Sequence, residues 1–214
     1  MGKDSFYAKY IKRILDILCA LAAMIVFCWL YVIVAILVRV KLGSPVLFKQ
    51  VRPGKDEKLF TLCKFRTMTD ARDENGELLP DDMRLTKFGR FLRSTSLDEL
   101  PEAWNILKGD MSVIGPRPLP AQYLPYYEGD ERLRHTVRGG ISGLAQVNGR
   151  GILSWEDKFR YDVKYVNELS FLLDVKLVFQ TFAKVIKQAD IGERGISTPE
   201  DFDRYRQKME KIDV

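Results

Sequence analysis

Asp98 and Glu99 are adjacent carboxylates in a short stretch that has arginines on both sides. Arg93 precedes the pair, and Arg117 follows it within about twenty residues. Arginine forks hold phosphate oxygens through parallel hydrogen bonds. A carboxylate kept ionised beside such cations can bind a divalent metal or attack phosphorus. The pair therefore predicts a site for a phosphorylated, metal-bound substrate.

The same spacing also fits a purely structural role. Ser96 with Glu99 three residues later matches a capping box, and acidic residues in a first turn complement the helix dipole. On this interpretation a helix begins near Ser96, runs through Leu107 and ends at Lys108-Gly109. The exposed amides of a helix start also attract phosphate, so capping and catalysis both stay open.

Two further segments could approach a substrate closely. In Gly115-Pro116-Arg117-Pro118 the prolines restrict the backbone on both sides of one arginine, which presents its guanidinium at little entropic cost. The segment from Arg138 to Arg150 combines four glycines with the amides of Gln146 and Asn148 and could lie against a nucleotide or sugar. Plain turns are the alternative for both. The single histidine, His135, is expected at the surface.

Charge is distributed unevenly along the 214 residues, whose net charge is +5. The first 50 residues hold seven basic and two acidic groups, which leaves 27 of each in the remainder. A neutral domain argues against nucleic acid as a partner, because binding by counterion release requires a basic patch. Anionic membrane lipids are the expected partner of the basic flanks.

The basic flanks enclose an apolar segment, Ile17 to Val38, of 22 residues without charge, Pro or Gly. As one straight helix it would be about 33 Å long, enough to cross a bilayer. Basic residues on both sides place both ends in the cytoplasm by the positive-inside rule, which favours a re-entrant segment over a single span. We expect Asp16, at its entrance, to pair with Lys12 or Arg13 or to meet water at the interface.

The rest of the chain predicts a mixed α/β fold that is mainly helical. Val46–Val51 and Lys58–Phe65 are predicted to form a β-hairpin, and Arg84–Leu92 an amphipathic helix at the membrane interface or on the core. Further helices are expected at about 157–169 and 174–188. We divide the chain into a membrane-inserted segment (1–42), a cytoplasmic catalytic domain (43–190) and a charged C-terminal tail (191–214), which is expected to be poorly ordered or at the surface.

Several strings in fixed order resemble the bacterial sugar transferase family, in particular its small monotopic phosphoglycosyl transferases. They cover roughly residues 8 to 190. The strings are Lys12-Arg13 with Asp16, Gln50 to Gly54, Lys64 to Met68, Ser96 to Pro101, Gly109 to Pro118 and Gly143 to Arg150. The family usually breaks its membrane helix at a Ser-Pro pair, where this chain has Cys28-Trp29, and it commonly has Arg-Pro-Gly where this chain has Arg138-Gly139-Gly140.

The resemblance implies transfer of a sugar 1-phosphate from a UDP-sugar, plausibly N-acetylated, to undecaprenyl phosphate, with release of UMP. Such a reaction initiates glycan assembly at the cytoplasmic face of the bacterial inner membrane. Asp98 would form a covalent phosphosugar intermediate, and Asp98 and Glu99 would hold Mg²⁺. Substrate binding is expected from the following residues: Arg93, Arg117, Lys64, Arg66, Arg138, Gln146, Asn148 and Arg150. The competing function is a membrane-anchored scaffold whose Asp-Glu pair only caps a helix.

Overall fold

A computed structural model of the protein describes residues 2–149, 153–186 and 201–212. These residues are mainly helical with two small sheets, which confirms the predicted mixed class. The α-helices are α1 (Lys12–Val26), α2 (Cys28–Leu42), α3 (Asp81–Arg84), α4 (Lys87–Ser94), α5 (Glu102–Lys108), α6 (Leu144–Gly149), α7 (Trp155–Glu168), α8 (Phe171–Ile186) and α9 (Phe202–Ile212). The strands are β1 (Leu47–Pro53), β2 (Leu59–Phe65), β3 (Met111–Ile114) and β4 (Gly139–Ser142).

The apolar segment is broken rather than straight. In the described part of the chain no single helix has the length and apolarity to cross a membrane, but Tyr7–Val26 and Cys28–Leu42 meet these requirements together, with a bend of 66°. The bend lies at Phe27, whose backbone leaves the helical region at φ −100° and ψ 13°. No proline or glycine causes the break, contrary to what a re-entrant helix usually needs.

The backbone at the bend keeps its hydrogen bonds. The Phe27 amide donates to Ala23, and the Phe27 carbonyl accepts from the amides of Leu30 and Tyr31. The Trp29 indole donates to the Val26 carbonyl at 3.1 Å. Trp29 therefore satisfies an acceptor at the end of α1, from within the Cys28-Trp29 pair that replaces Ser-Pro. A bend in an apolar environment requires this satisfaction, because an unpaired backbone group there is costly.

The start of α1 is bonded into the rest of the protein. Arg13 donates to the carbonyls of Ile106 (2.5 Å) and Leu107 (2.9 Å), near the C-terminal end of α5. Asp16 is buried and accepts from the Ser112 hydroxyl and the Val113 amide, each at 2.9 Å. The expected pairing of Asp16 with Lys12, Arg13 or water was therefore wrong, because β3 supplies its donors.

Lys12 is also directed inward. Its amine lies 2.6 Å from Asp174 of α8, which further accepts from the hydroxyls of Tyr7 and Tyr165. Two of the basic residues before the apolar segment therefore make internal bonds. Exposed positive charge around the segment comes instead from residues such as Arg39, Lys41 and Lys49.

The predicted hairpin is confirmed. Strands β1 and β2 pair antiparallel, with Val51 opposite Thr61. Asn105 of α5 fastens the hairpin, since its side chain accepts from the Cys63 amide (3.1 Å) and donates to the Thr61 carbonyl (2.8 Å). These bonds fix the position of the hairpin relative to α5, and both elements carry residues of the site described below.

The second sheet joins β3 to β4 in parallel, with Met111 opposite Gly139. Helices α7 and α8 pack on it through Tyr165, Val166 and Leu177, and Tyr165 donates to the Ile114 carbonyl at 3.1 Å. Most of the helices predicted near 157–169 and 174–188 are present, as α7 and α8. The segment after β3, which contains Arg117, therefore leaves from a well-packed edge.

The described part of the predicted tail is packed on the domain. Phe202, at the start of α9, is fully buried among aromatic rings that include Tyr123, Tyr127, Trp155 and Phe159. Burial of such a ring contributes roughly 1.5–3 kcal/mol. The packing of α9 was not predicted from the charge-rich composition, because the single residue Phe202 supplies most of the apolar contact. Residues 187–200 lie outside the described residues.

Helices α1 and α2 leave many large apolar side chains exposed. The exposed residues on them include Ile14, Leu18, Ile25, Val26, Trp29, Val32, Ile36 and Val40. The inner faces of α1 and α2 are buried at Ala20 and at Val34 and Val38 respectively. A contiguous exposed apolar surface of this kind marks contact with a membrane or another protein.

Candidate active site

Asp98 and Glu99 lie in a tight 3₁₀ turn, Leu97–Glu99, rather than in the first turn of a long helix. Ser96, just before it, adopts a left-handed conformation (φ 57°) and makes no side-chain capping bond. The predicted helix is interrupted, and α5 begins only at Glu102. The capping-box prediction was wrong because the chain turns at Ser96 instead of entering a helix. Both carboxylates are buried, with exposures of 7% and 8%.

Glu99 is held by two cations from different elements. Its Oε1 lies 2.7 Å from Arg117 Nη2 and 3.1 Å from Lys64 Nζ. Lys64 comes from β2, and its amine also lies 2.9 Å from Glu102 Oε1 at the start of α5. The structure thus brings Lys64 and Arg117, two of the substrate-binding residues that the resemblance implies, together at Glu99.

The charges of this group are strongly coupled. Glu99 raises the pKa of Arg117, so the guanidinium stays protonated. Burial raises the pKa of Glu102, against the opposing effect of Lys64. The carboxylates next to Asp98 are therefore balanced by fixed positive charge, in a setting from which most water is excluded. Such preorganised cations stabilise negative charge that develops during a reaction.

Arg93 approaches the same turn from another side. It lies in the last turn of α4, which packs against Leu97–Glu99, and its Nε donates to the Thr67 hydroxyl at 3.0 Å. Helix α4 matches the predicted amphipathic helix, although it begins at Lys87, where the Gly89 amide donates a capping bond to the Thr86 hydroxyl. The structure therefore places Arg93 on a helix that packs against the turn of the dyad.

Arg66 is not brought into this group. Its guanidinium donates to the carbonyls of Met68 (2.9 Å), Ser44 (2.8 Å) and Leu42 (3.0 Å). It also pairs with Asp70 at 3.1 Å. These bonds join the end of α2 to the segment after β2, so the geometry gives Arg66 a positioning role.

The predicted residues Arg138, Gln146 and Asn148 of the glycine-rich segment lie in different surroundings. Arg138 donates to the Gly109 carbonyl at 2.9 Å, away from Glu99. Asn148 is exposed and donates to the Leu144 carbonyl, within α6. Gln146 is buried, and neither its amide nitrogen nor its side-chain carbonyl oxygen has a hydrogen-bond partner among the residues that the structure describes. Arg150 lies outside the described residues.

Gly143 brings Gln146 close to the segment that carries Arg117. A Cβ at Gly143 would lie 2.2 Å from the Gly115 carbonyl oxygen and 2.8 Å from Gln146 Oε1. Only glycine permits this approach. Of Arg138, Gln146 and Asn148, the described residues predicted in this segment, Gln146 has unpaired polar atoms that suit a ligand, because a buried amide without partners is costly.

Two arginines that the sequence reasoning did not select fix the backbone around Arg117. Arg134 donates to the Arg117 carbonyl at 2.7 Å, and Arg52 donates to the Pro118 carbonyl at 3.1 Å. Arg134 also makes two bonds to Asp162 at 3.0 and 2.9 Å. One sequence signal could have indicated the buried pair of Arg134 and Asp162. Asp162 falls on the apolar face of α7 together with Phe159, Tyr165 and Val166, and a carboxylate at such a position needs a cation.

The prediction of a surface histidine was wrong. His135 is 5% exposed and packs edge-on against the Tyr127 ring, with centroids 5.1 Å apart. Burial is the main cause that lowers its pKa to about 3, followed by Arg134 and Arg132. The side chain is therefore neutral and belongs to the packed interior.

Asp98 and Glu99 are also compatible with a magnesium ion that is shared with a substrate. Among the described residues, no group of three or more His, Cys, Asp or Glu side chains could hold a metal. Mg²⁺ is commonly bound by one or two carboxylates together with substrate phosphates and water, so it needs no such cage. Two neighbouring carboxylates, beside cations suited to phosphate, fit that pattern.

Comparison with known proteins agrees with this geometry. The family model described as bacterial sugar transferase matches residues 7–188. The chain is 51% identical over 195 residues to the uncharacterized sugar transferase EpsL of Bacillus subtilis (strain 168), covering 90% of this chain and 95% of that protein.

Longer relatives match over the same region. The chain is 40% identical over 183 residues to the UDP-glucose:undecaprenyl-phosphate glucose-1-phosphate transferase of Klebsiella pneumoniae, covering 81% of this chain and 39% of that protein. It is 37% identical over 185 residues to the UDP-N-acetylgalactosamine-undecaprenyl-phosphate N-acetylgalactosaminephosphotransferase of Aeromonas hydrophila, covering 83% and 44%. The chain thus spans less than half the length of these two relatives. The family match over most of its residues confirms the resemblance, and the chain belongs to the bacterial sugar transferase family.

Proposed function

We propose that this protein transfers an N-acetylated sugar 1-phosphate from a UDP-sugar to undecaprenyl phosphate and releases UMP. The observation that carries the proposal is the buried Asp98-Glu99 turn, whose Glu99 is held by Lys64 and Arg117. The names of the Klebsiella and Aeromonas relatives support the reaction class and both kinds of substrate. The product would be the first lipid-linked intermediate in the assembly of a glycan.

The reaction would proceed in two displacements at one site. An Asp98 carboxylate oxygen attacks the β-phosphorus of the UDP-sugar, and the bond from that phosphorus to the bridging oxygen breaks, so UMP leaves with the electron pair. A phosphate oxygen of undecaprenyl phosphate then attacks the same phosphorus and restores the Asp98 carboxylate. Covalent catalysis of this kind divides one transfer between two bulky substrates into two simpler steps.

The neighbouring residues would prepare both steps. Lys64 and Arg117, fixed by Glu99, hold positive charge close to Asp98 and counter the charge that develops on the phosphoryl oxygens. Arg93 would add a further donor from α4. A Mg²⁺ ion held by Asp98, Glu99 and the diphosphate would supply Lewis-acid stabilisation of the phosphoryl oxygens.

We further propose that α1 and α2 enter the membrane and return on the same side, which places the site at the cytoplasmic face. The 66° bend, the satisfied backbone at Phe27 and the exposed apolar side chains support this placement. Exposed Arg39, Lys41 and Lys49 could contact anionic lipid head groups. In this setting α4 would lie at the interface, with Phe91 directed outward.

Purified full-length protein in lipid nanodiscs, given Mg²⁺, undecaprenyl phosphate and a panel of UDP-sugars, tests the reaction by UMP release. We expect turnover with an N-acetylated sugar and its loss in Asp98→Asn, which keeps the size of the side chain. Intact mass spectrometry of protein incubated without the lipid should show one added sugar phosphate. The exposed Asp82→Asn serves as the matched control and should behave as wild type.

The scaffold function loses its main basis in this structure. It required the dyad to act only as a helix cap, and Ser96 makes no side-chain capping bond. Full UMP release by Asp98→Asn would refute the nucleophile, whereas release of no UMP with any sugar would refute the transferase.

A further inference from the structure

Two cations lie beside Arg117 without an acidic partner among the described residues. Arg52 uses its guanidinium on the Pro118 carbonyl and the Gln50 side chain, both uncharged. Lys158 of α7 is half-buried, and its amine lies 3.6 Å from the centroid of the Trp155 ring. Neither side chain forms an ion pair within residues 2–149, 153–186 and 201–212.

The acidic groups nearby are already engaged. Asp162, one helical turn after Lys158, receives two hydrogen bonds from Arg134. Glu99 is shared by Lys64 and Arg117. Glu102, which also acts on Arg52, is paired with Lys64. Arg52 on β1 and Lys158 on α7 therefore add positive charge that none of these carboxylates neutralises by an ion pair within the described residues. A cation that is partly removed from water without an anion is costly, so an incoming anion would stabilise this arrangement.

The titration of both groups agrees with this imbalance. Burial, followed by repulsion from Arg117, lowers the pKa of Arg52 to about 10, with Glu102 opposing the shift. Burial, followed by repulsion from Arg134, lowers the pKa of Lys158 to about 8, with Asp162 opposing and Arg117 adding to the shift. The surroundings therefore disfavour the charged forms of both side chains. A bound phosphate would favour these charged forms and raise both pKa values.

We propose that Arg52 and Lys158 form the subsite for the α-phosphate of the UDP-sugar. This inference rests on the proposed function. When the bond between the β-phosphorus and the bridging oxygen breaks, the electron pair stays on the departing UMP, whose α-phosphate gains negative charge. Lys64 and Arg117 then serve the transferred phosphoryl group, whereas Arg52 and Lys158 stabilise the leaving group.

Lys158 offers the cleaner test, because Arg52 also supports the backbone at Pro118. Binding of UDP to the full-length protein in nanodiscs is measured by calorimetry, and kcat and KM for the UDP-sugar are measured by UMP release. In Lys158→Gln we expect UDP affinity and kcat/KM to fall about tenfold, while KM for undecaprenyl phosphate stays unchanged. Lys158→Arg should restore both to within about threefold. Lys164→Gln, on an exposed position of α7, is the matched control.

A pH series separates this role from a structural one. UDP affinity of the wild type should weaken as the pH rises through about 8, because Lys158 loses its proton there. Lys158→Arg should remove this dependence, since arginine stays protonated. Equal losses in the Gln and Arg variants, with a lowered melting temperature, would overturn the proposal in favour of a packing role.

The two proposals can fail separately. Normal UDP affinity in Lys158→Gln, together with wild-type turnover of the UDP-sugar, would refute the subsite alone. UDP binding that weakens in Lys158→Gln, in a wild type that releases no UMP, would refute the transfer reaction and retain the phosphate subsite. A wild type that binds no UDP would refute both.

Discussion

Arg117 Nη2 lies 2.7 Å from Glu99 Oε1, which joins the segment after β3 to the turn that carries Asp98. The same guanidinium donates to the Ile141 carbonyl at 3.3 Å, and the Arg117 backbone is held by Arg134. One side chain therefore connects β4 to the turn that carries Asp98.

We expect Arg117→Lys to lower kcat/KM for the UDP-sugar about a hundredfold, the usual cost of removing one preorganised electrostatic donor. Lysine keeps the charge but has a single donor centre, so it cannot bond Glu99 and Ile141 together. UMP release measures the effect, and Arg160→Lys, on an exposed part of α7, provides the control. Activity within threefold of wild type would contradict this role.

We expect Asp162→Asn to destabilise the protein by about 3–5 kcal/mol, because it leaves the buried Arg134 cation without its counterion. Both side chains are at most 2% exposed. Chemical denaturation measures the change. The control is Asp157→Asn, which removes an exposed pair with Arg160 and should cost less than about 1 kcal/mol. Similar losses in the two variants would argue against a buried ion pair.

His135 should make stability depend on pH. Its pKa is about 3 in the folded protein, against about 6.5 for an unperturbed histidine. Between these values the unfolded chain binds a proton that the folded chain does not, so stability rises with pH and is lost as the pH falls from about 6.5 towards 3. The contribution amounts to at most about 1.4 kcal/mol per pH unit.

Denaturation of wild type and His135→Gln at several pH values from 4 to 7 checks this prediction. Carboxylates titrate in both proteins, so their effect cancels in the difference between the two curves. The difference should shrink as the pH falls. Parallel curves would show that His135 is protonated equally in both states.

The sequence alone selected Asp98 and Glu99 as candidate site residues, and it predicted the secondary-structure elements that have strong local patterns. Strand-forming residues on both sides of an Arg-Pro-Gly turn predicted the hairpin, and the periodic placement of basic and apolar residues predicted α4. Asp98 and Glu99 were selected by residue type and by the neighbouring arginines. These signals are local, and the structure changes mainly the boundaries.

The partners of long cationic side chains were not predictable in the same way. Lys64 and Arg66 are two residues apart, yet Lys64 reaches Glu99 while Arg66 bonds carbonyls at the end of α2. The partners lie 22 to 35 positions away in sequence, so only the packing of the hairpin decides between them. The charge pattern predicted a re-entrant segment, but no Pro or Gly marks its break at Phe27, where the Trp29 indole donates to the Val26 carbonyl.

The bonds from α1 into the domain have a consequence for the lipid substrate. Arg13 binds the end of α5 and Asp16 binds β3, and these two elements lead directly to Glu102 and to Arg117. Under the proposed membrane placement, the depth at which α1 inserts sets the height of Asp98 above the lipid phosphates. The lipid phosphate would then reach the phosphosugar on Asp98 at head-group level, while its long chain stays in the bilayer.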